Sequence, residues 1–530
     1  MTVLHETSTF IEEITPRLRE REYAAQVAQW ILATQGGEEA KKRFEEAELA
    51  CRMLKSDREL FQRIKKLRES DGGQDVLRSR SIQLLYNQFL KNQIPENLIR
   101  AIIEKEAEVG KLFTEFRADL NGQRLSDNDI GTMLKQEKNP QVRKEIWAAS
   151  KQVGQAAGPM ILELVRLRNI AAQALGYSNY YGMRLALDEI DEKWLHRFFK
   201  TALQQSAMSY RVARLHIDQV LSRNFGVPAT ELGPWAWGVF TQEDPIAPSD
   251  LDRLFANQDI VMYVRNYYHS VGFGNEFDDV FSRSDLYARE GKNQHGFCID
   301  VDRMGDVRVL MNVLANEIWF RIFFHEFGHA VDAKSRSSTL PWILRSFSHM
   351  MTTEAIAVFF ESPLYSKDYL RRTLKSANDE ELIFNELISS RARYKLIFPR
   401  WVVLMTNFES ELYKNPDQDL NALWWGLTKS IHGIPEPKRP PGAMDWASKY
   451  HIALAPVYYH NYLLADIVSE QLKATVARSL KYGIEDPFLA EFLRGRWFRL
   501  GASLRWDQLI RFATGEQLNL KHWTNALKQL

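Results

Sequence analysis

Residues 317 to 334 read EIWFRIFFHEFGHAVDAK, and apolar side chains recur on nearly every face of the helix that this spacing predicts. A helix of that kind must be buried on most sides, and a chain of 530 residues, 45% hydrophobic, can supply the surrounding core. Two histidines and a glutamate inside such a run are costly to desolvate unless a metal or another partner meets them. His325 and His329 stand one turn apart on one face, so both imidazoles can reach a single tetrahedral zinc ion. Glu326 is turned by about 100° from His325, which places it beside the metal, where it can take a proton from a water. A catalytic zinc keeps three protein ligands and an open position. Glu354 is the candidate third ligand: it follows His329 by 25 residues in TTEAIAVFFES, whose apolar residues predict a second buried helix.

The rest of the chain predicts a mainly α fold. From about Phe10 to Leu221, segments such as ELACRMLKSDRELFQRIKKLRES return apolar residues at three and four positions, and their charges read as solvated helix faces. Further helices are predicted over 350–361, 380–414, 421–431 and 456–481. GFCIDVDRMGDVRVLMNV alternates in period two around a turn at Arg303 to Asp306, a β-hairpin just before the buried helix. Residues 226–250 (GVPATELGPWAWGVFTQEDPIAPSD) break helix repeatedly and read as a long loop or a crossing between two lobes of a single domain spanning 1–530.

Lys and Arg number 69 against 68 Asp and Glu, with neither sign gathered in one half, so no nucleic-acid partner is expected. Neither a signal-type start nor an uncharged stretch of 18 apolar residues occurs, and the expectation is a cytoplasmic protein without a membrane anchor. Cys51 and Cys298 are expected as free thiols, Cys298 having no partner that would make it a nucleophile. His5, His196, His216, His349 and His522 lack ligand spacing and receive no role.

HEFGH followed by TTEAIAV resembles the angiotensin-converting-enzyme family of peptidyl-dipeptidases, whose HExxH precedes a Glu-Ala-Ile element by some two dozen residues. Two further matches extend the resemblance. HGFCID begins at His295, 30 residues before His325, as does the family's substrate-binding strand; WWGLTKSIHGIPEP and DWASKYHIALAPVYYHNYLLADIVSEQL resemble its downstream segments. Fainter similarity at 164 to 185 brings the coverage to about two thirds of the chain. The resemblance implies a helical ellipsoid divided by a deep substrate groove, a zinc cofactor, and short peptides as substrates. It assigns His295 and Cys298 to the substrate backbone, Lys449 and Tyr459 to the substrate carboxylate, and His451 and Tyr462 to the oxyanion. Tyr458 rivals Tyr459, and the pair Tyr459 and Tyr462 is preferred because it restores the three-residue step and aligns Gln471.

Departures from the family pattern matter too. Trp237 stands where the family has a Gln that helps hold the substrate carboxylate, which weakens the case for strict dipeptide release. Val358 replaces an Asp that orients a zinc histidine, so that support must come from elsewhere. Thr428 and Asn461 replace chloride-binding arginines, so chloride activation is not expected. The expected activity is release of C-terminal dipeptides. The alternatives are an oligopeptidase or carboxypeptidase of a related helical HExxH family, and a catalytically silent peptide-binding scaffold.

Overall fold

The computed structural model describes residues 3–248, 251–374 and 381–528. Helices dominate, and their ends fall where side chains can satisfy the orphan backbone N–H groups: Asp57, Asp75, Asn139, Asn179 and Asp191 each cap a helix, and Ser126 forms a capping box with Asp129. Among the described residues the strands form two antiparallel hairpins. β1 (Ala118–Leu120) and β2 (Gln123–Leu125) interrupt the helical N-terminal half. β3 (Phe297–Asp300) and β4 (Val307–Leu310) are the hairpin that the alternation predicts. None of the described helices is long and apolar enough to cross a membrane.

Two compact units emerge. The first comprises Met1–Gln93, Ser249–Ile388 and Leu464–Trp523; the second comprises Ile94–Pro248, Ser389–Leu463 and Thr524–Leu530.

In the first unit the apolar run forms the helix Glu317–Ser335, begun by Asn316, whose side chain accepts from the Trp319 amide. Phe320, Phe323, Phe324 and Phe327 are fully buried. Phe277 packs on Phe327 at 4.4 Å between ring centroids, and the Tyr268 hydroxyl donates to the Phe324 carbonyl at 2.8 Å. Each buried ring contributes about 1.5–3 kcal/mol, which anchors this helix firmly. Beside it lies the helix Met350–Phe360, whose mean hydropathy suits a position buried on almost every side. Gly328 sets their spacing: a Cβ there would lie 3.0 Å from the Ala357 Cα and 3.2 Å from the Phe360 ring.

The other predicted helices are Glu381–Lys414, Leu420–His432 and His460–Ser479, with residue 380 outside the described residues. The helix expected from residue 456 begins later, because Val457 adopts a left-handed conformation (φ 56°) that no helix accommodates. The 226–250 stretch holds a 3₁₀ turn at Ala229–Glu231 and a short helix at Pro234–Trp237; its last two residues lie outside the described residues.

Candidate metal centre

His325 and His329 project from one face of the Glu317–Ser335 helix towards Glu354 on the Met350–Phe360 helix. One ligand atom from each lies within 4.8 Å of the others, a grouping able to hold a metal ion. The His325 Nε2 to Glu354 Oε2 distance is 3.5 Å; two donors at about 2.0–2.1 Å from a tetrahedral zinc stand about 3.3 Å apart, so the donor set fits such an ion. The outer ring nitrogens are held as well. His325 Nδ1 meets Glu361 Oε1 at 2.9 Å, and His329 Nδ1 meets Thr353 Oγ1 at 2.7 Å. Each contact fixes a ring so that Nε2 faces the cluster.

Glu361 supplies the support that Val358 lacks. It lies seven residues after Glu354, is 4% exposed, and caps the C-terminal end of the same helix. The sequence does not single it out because the family pattern directs attention to position 358, whereas Glu361, two helical turns after Glu354, is the residue that faces His325.

Electrostatics separates the three titratable neighbours. Burial opposes protonation of His325, but hydrogen bonds to Glu354 and Glu361 outweigh it and push its pKa up to about 10. Burial pulls His329 down to about 4. Burial pushes the Glu326 carboxyl up to about 7, with His325 and the Cys298 backbone N–H working the other way. A buried carboxyl near neutrality is suited to exchange a proton.

The hairpin explains the Cys298 contact. Val301 N–H bonds to the Asp306 carbonyl at 2.8 Å, and Ile299 pairs with Arg308 in the same ladder. Pairs alternate in an antiparallel ladder, so the backbone groups of Cys298 and Asp300 point away from β4. That edge of β3 is paired with no strand among the described residues. Gly296 allows the close approach: a Cβ there would meet Ile322 at 2.8 Å and the Glu326 Cγ at 3.7 Å. His295 is exposed just before β3, its backbone N–H donating to Asn293 Oδ1 at 2.8 Å. Both cysteines are free, and burial together with the Glu326 charge holds the Cys298 thiol well above its ordinary pKa.

In the second unit the structure brings Lys449, His451, Tyr459 and Tyr462 together. Tyr459 lies 5.1 Å from His451 and 5.6 Å from Tyr462 between ring centroids, and Lys449 Nζ stands 6.0 Å from its ring. Tyr458 also touches Tyr462, at 5.2 Å, but Tyr459 shares the company of His451 and Lys449. Lys449 Nζ donates to Gln242 Oε1 at 3.0 Å and lies over Phe240; burial lowers its pKa to about 8. Gln242, not a residue at position 237, is therefore the amide beside Lys449. Trp237 is buried under Arg214. The only sequence signal for Gln242 is its polar setting in FTQEDP.

The loop before Tyr459 rests on Glu409, whose Oε1 accepts the Val457 N–H at 2.8 Å. Burial pushes the Glu409 carboxyl up to about 8, against the Val457 amide and the charges of Arg168 and Arg184. Its folded pKa thus exceeds the ordinary 4.5, the folded state binds more protons between those values, and stability is lost as pH rises through that window. Glu409→Gln is expected to remove a slope of up to about 1.4 kcal/mol per pH unit. Urea unfolding of both proteins from pH 5 to 8 checks this; parallel curves would show that Glu409 is ionised throughout.

A search of curated proteins finds none that matches this chain. Two family sequence models do match. That of angiotensin-converting enzyme covers residues 2–207, and that of peptidase family M3 covers residues 133–528, including the whole metal cluster. Because the second match spans well over half of the sequence, the chain belongs to peptidase family M3 and is a metallopeptidase.

Proposed function

We propose that this chain hydrolyses peptide bonds in short peptides, with zinc held by His325, His329 and Glu354 and with Glu326 as general base. The observation that carries the reading is the convergence of three ligand atoms within 4.8 Å, with Glu326 on the same turn of helix. Zinc, when bound, polarises the scissile carbonyl and acidifies the attacking water. Glu326 accepts the water's proton and delivers it to the leaving amine. The outward Cys298 carbonyl and Asp300 backbone groups, with His295, receive the extended substrate, a grip that does not read sequence. His451 and Tyr462 act as oxyanion donors, a role worth about 3–4 kcal/mol.

The proposed products are C-terminal dipeptides. Lys449 is a buried amine with no carboxylate in salt-bridge range among the described residues, the Glu243 charge acting on it only from further off, and Gln242 and Tyr459 flank it; a substrate carboxylate would pair with it directly. A second reading, internal cleavage of oligopeptides, is favoured by the family M3 match over the metal cluster, since that family is one of oligopeptidases. Free thiols fit a reducing compartment, and we place the enzyme in the cytoplasm.

Zinc-loaded protein incubated with peptides of 3 to about 12 residues, free and C-terminally amidated, separates the readings by product mass. Dipeptides from free ends alone support the first; cuts indifferent to amidation support the second. No cleavage by zinc-loaded protein overturns both and favours the binding scaffold. Glu361→Gln is expected to weaken zinc binding about 10- to 100-fold through His325, as read by competition with a chelator; an unchanged affinity would reduce Glu361 to a packing role.

A further inference from the structure

Just beyond the helix that bears His325 and His329, Arg336 lies with its side chain 6% exposed between two carboxylates. Its Nη2 donates to Asp332 Oδ2 at 2.9 Å, one turn back on the same helix, and its Nη1 donates to Asp300 Oδ2 at 3.2 Å, on the last residue of β3. Asp300 also accepts the Arg303 N–H at 2.9 Å through its other oxygen, which holds the hairpin turn where Arg303 is left-handed (φ 55°). Nearby, Lys334 Nζ donates to the Gly305 carbonyl at 2.6 Å. The turn end of the hairpin is thus latched at two points to the C-terminal end of the helix.

Neutralising buried acids does not require this arrangement, since protonation or an apolar replacement would serve equally well. What the latch adds is a fixed distance. Asp300 and Cys298 share the outward edge of β3, two residues apart, and the strand closes on the helix just before Cys298, where a Cβ on Gly296 would lie 3.7 Å from the Glu326 Cγ. Of the two latch points, Arg336 is the one that ties the C-terminal end of the helix to β3 itself, through Asp300.

We propose that Arg336, through Asp300 and Asp332, is a positioning residue that sets β3 against the HExxH helix and so aims the Cys298 amide at Glu326. The inference rests on the reading of Glu326 as the base. It is tested with Arg336→Met, Arg336→Lys, and a triple variant, Asp300→Asn/Asp332→Asn/Arg336→Met, in which no charge is left unpaired. Each is zinc-loaded and compared with wild type in kcat, KM, zinc content and hydrogen exchange across residues 297–310.

Arg336→Met is expected to lower kcat about 10- to 100-fold with zinc content little changed, to raise KM through the strand edge that receives substrate, and to speed exchange at Cys298. Arg336→Lys should recover part of the rate. The triple variant should regain thermal stability without regaining kcat. Wild-type kcat in the triple variant would overturn the proposal, because neutralisation would then be the whole role of Arg336. So would a loss in Arg336→Met that merely tracks the folded or zinc-bound fraction. Failure of the underlying reading shows separately, as equal rates for wild type and Glu326→Gln, while exchange at Cys298 still reports whether the latch holds the edge.

Discussion

Glu326→Gln is expected to lose on the order of 10²- to 10⁴-fold in kcat while keeping its zinc and its fold. Glutamine matches the shape of glutamate but cannot accept a proton from water. The cost to the fold is small because the site already tolerates a neutral group: burial raises the Glu326 pKa to about 7. The same shift has a sign for stability in chelator-treated protein. The folded pKa exceeds the ordinary 4.5, so wild type loses stability as pH rises from there through 7, and glutamine escapes that loss. Above pH 7 the variant should therefore be the more stable protein, by a few kcal/mol at most. Thermal unfolding of both chelated proteins from pH 5 to 8 checks this, and a variant that is less stable throughout would show that the carboxylate is needed for packing. An active Glu326→Gln enzyme would remove Glu326 from the reaction.

Gly328→Ala is expected to cost about 1–3 kcal/mol of stability and to weaken zinc binding as well. The new methyl would meet the Ala357 Cα at 3.0 Å and the Ile356 carbonyl at 3.4 Å. These are backbone atoms, so relief requires the two helices to part, and Glu354 rides on the one that moves. Gly426→Ala is the control. Gly426 lies inside the helix Leu420–His432, and a methyl group added there would meet nothing within 4 Å; alanine should raise stability by up to about 1 kcal/mol. If Gly328→Ala binds zinc as wild type does, the close approach of the helices is not what sets the ligand geometry.

The features legible in the sequence are those encoded locally. The buried helix shows in its apolar run, the hairpin in its alternation, His325 and His329 in a spacing that a helix converts into a shared face, and Glu354 in its place inside a second apolar run. What escaped depends on which segments become neighbours. Glu361 reaches His325 only because two helices pack at Gly328, and Gln242 reaches Lys449 across more than 200 residues of chain. Arg336 resembles any charge after a helix end until Asp300 is seen beside it. The late start of the helix at His460 turns on one backbone angle at Val457, a β-branched residue whose sequence preference argues against the conformation it adopts.

The unpaired edge of β3 bears on how this protein survives at high concentration. An open strand edge invites another chain to add on, and repeated addition leads to aggregates. Here the strand is four residues long, and only Cys298 and Asp300 direct backbone groups outward. Asp300 carries a side chain already committed to Arg336, and Glu326 lies at the Cys298 amide. Such an edge gives a second copy of the chain too little to build upon.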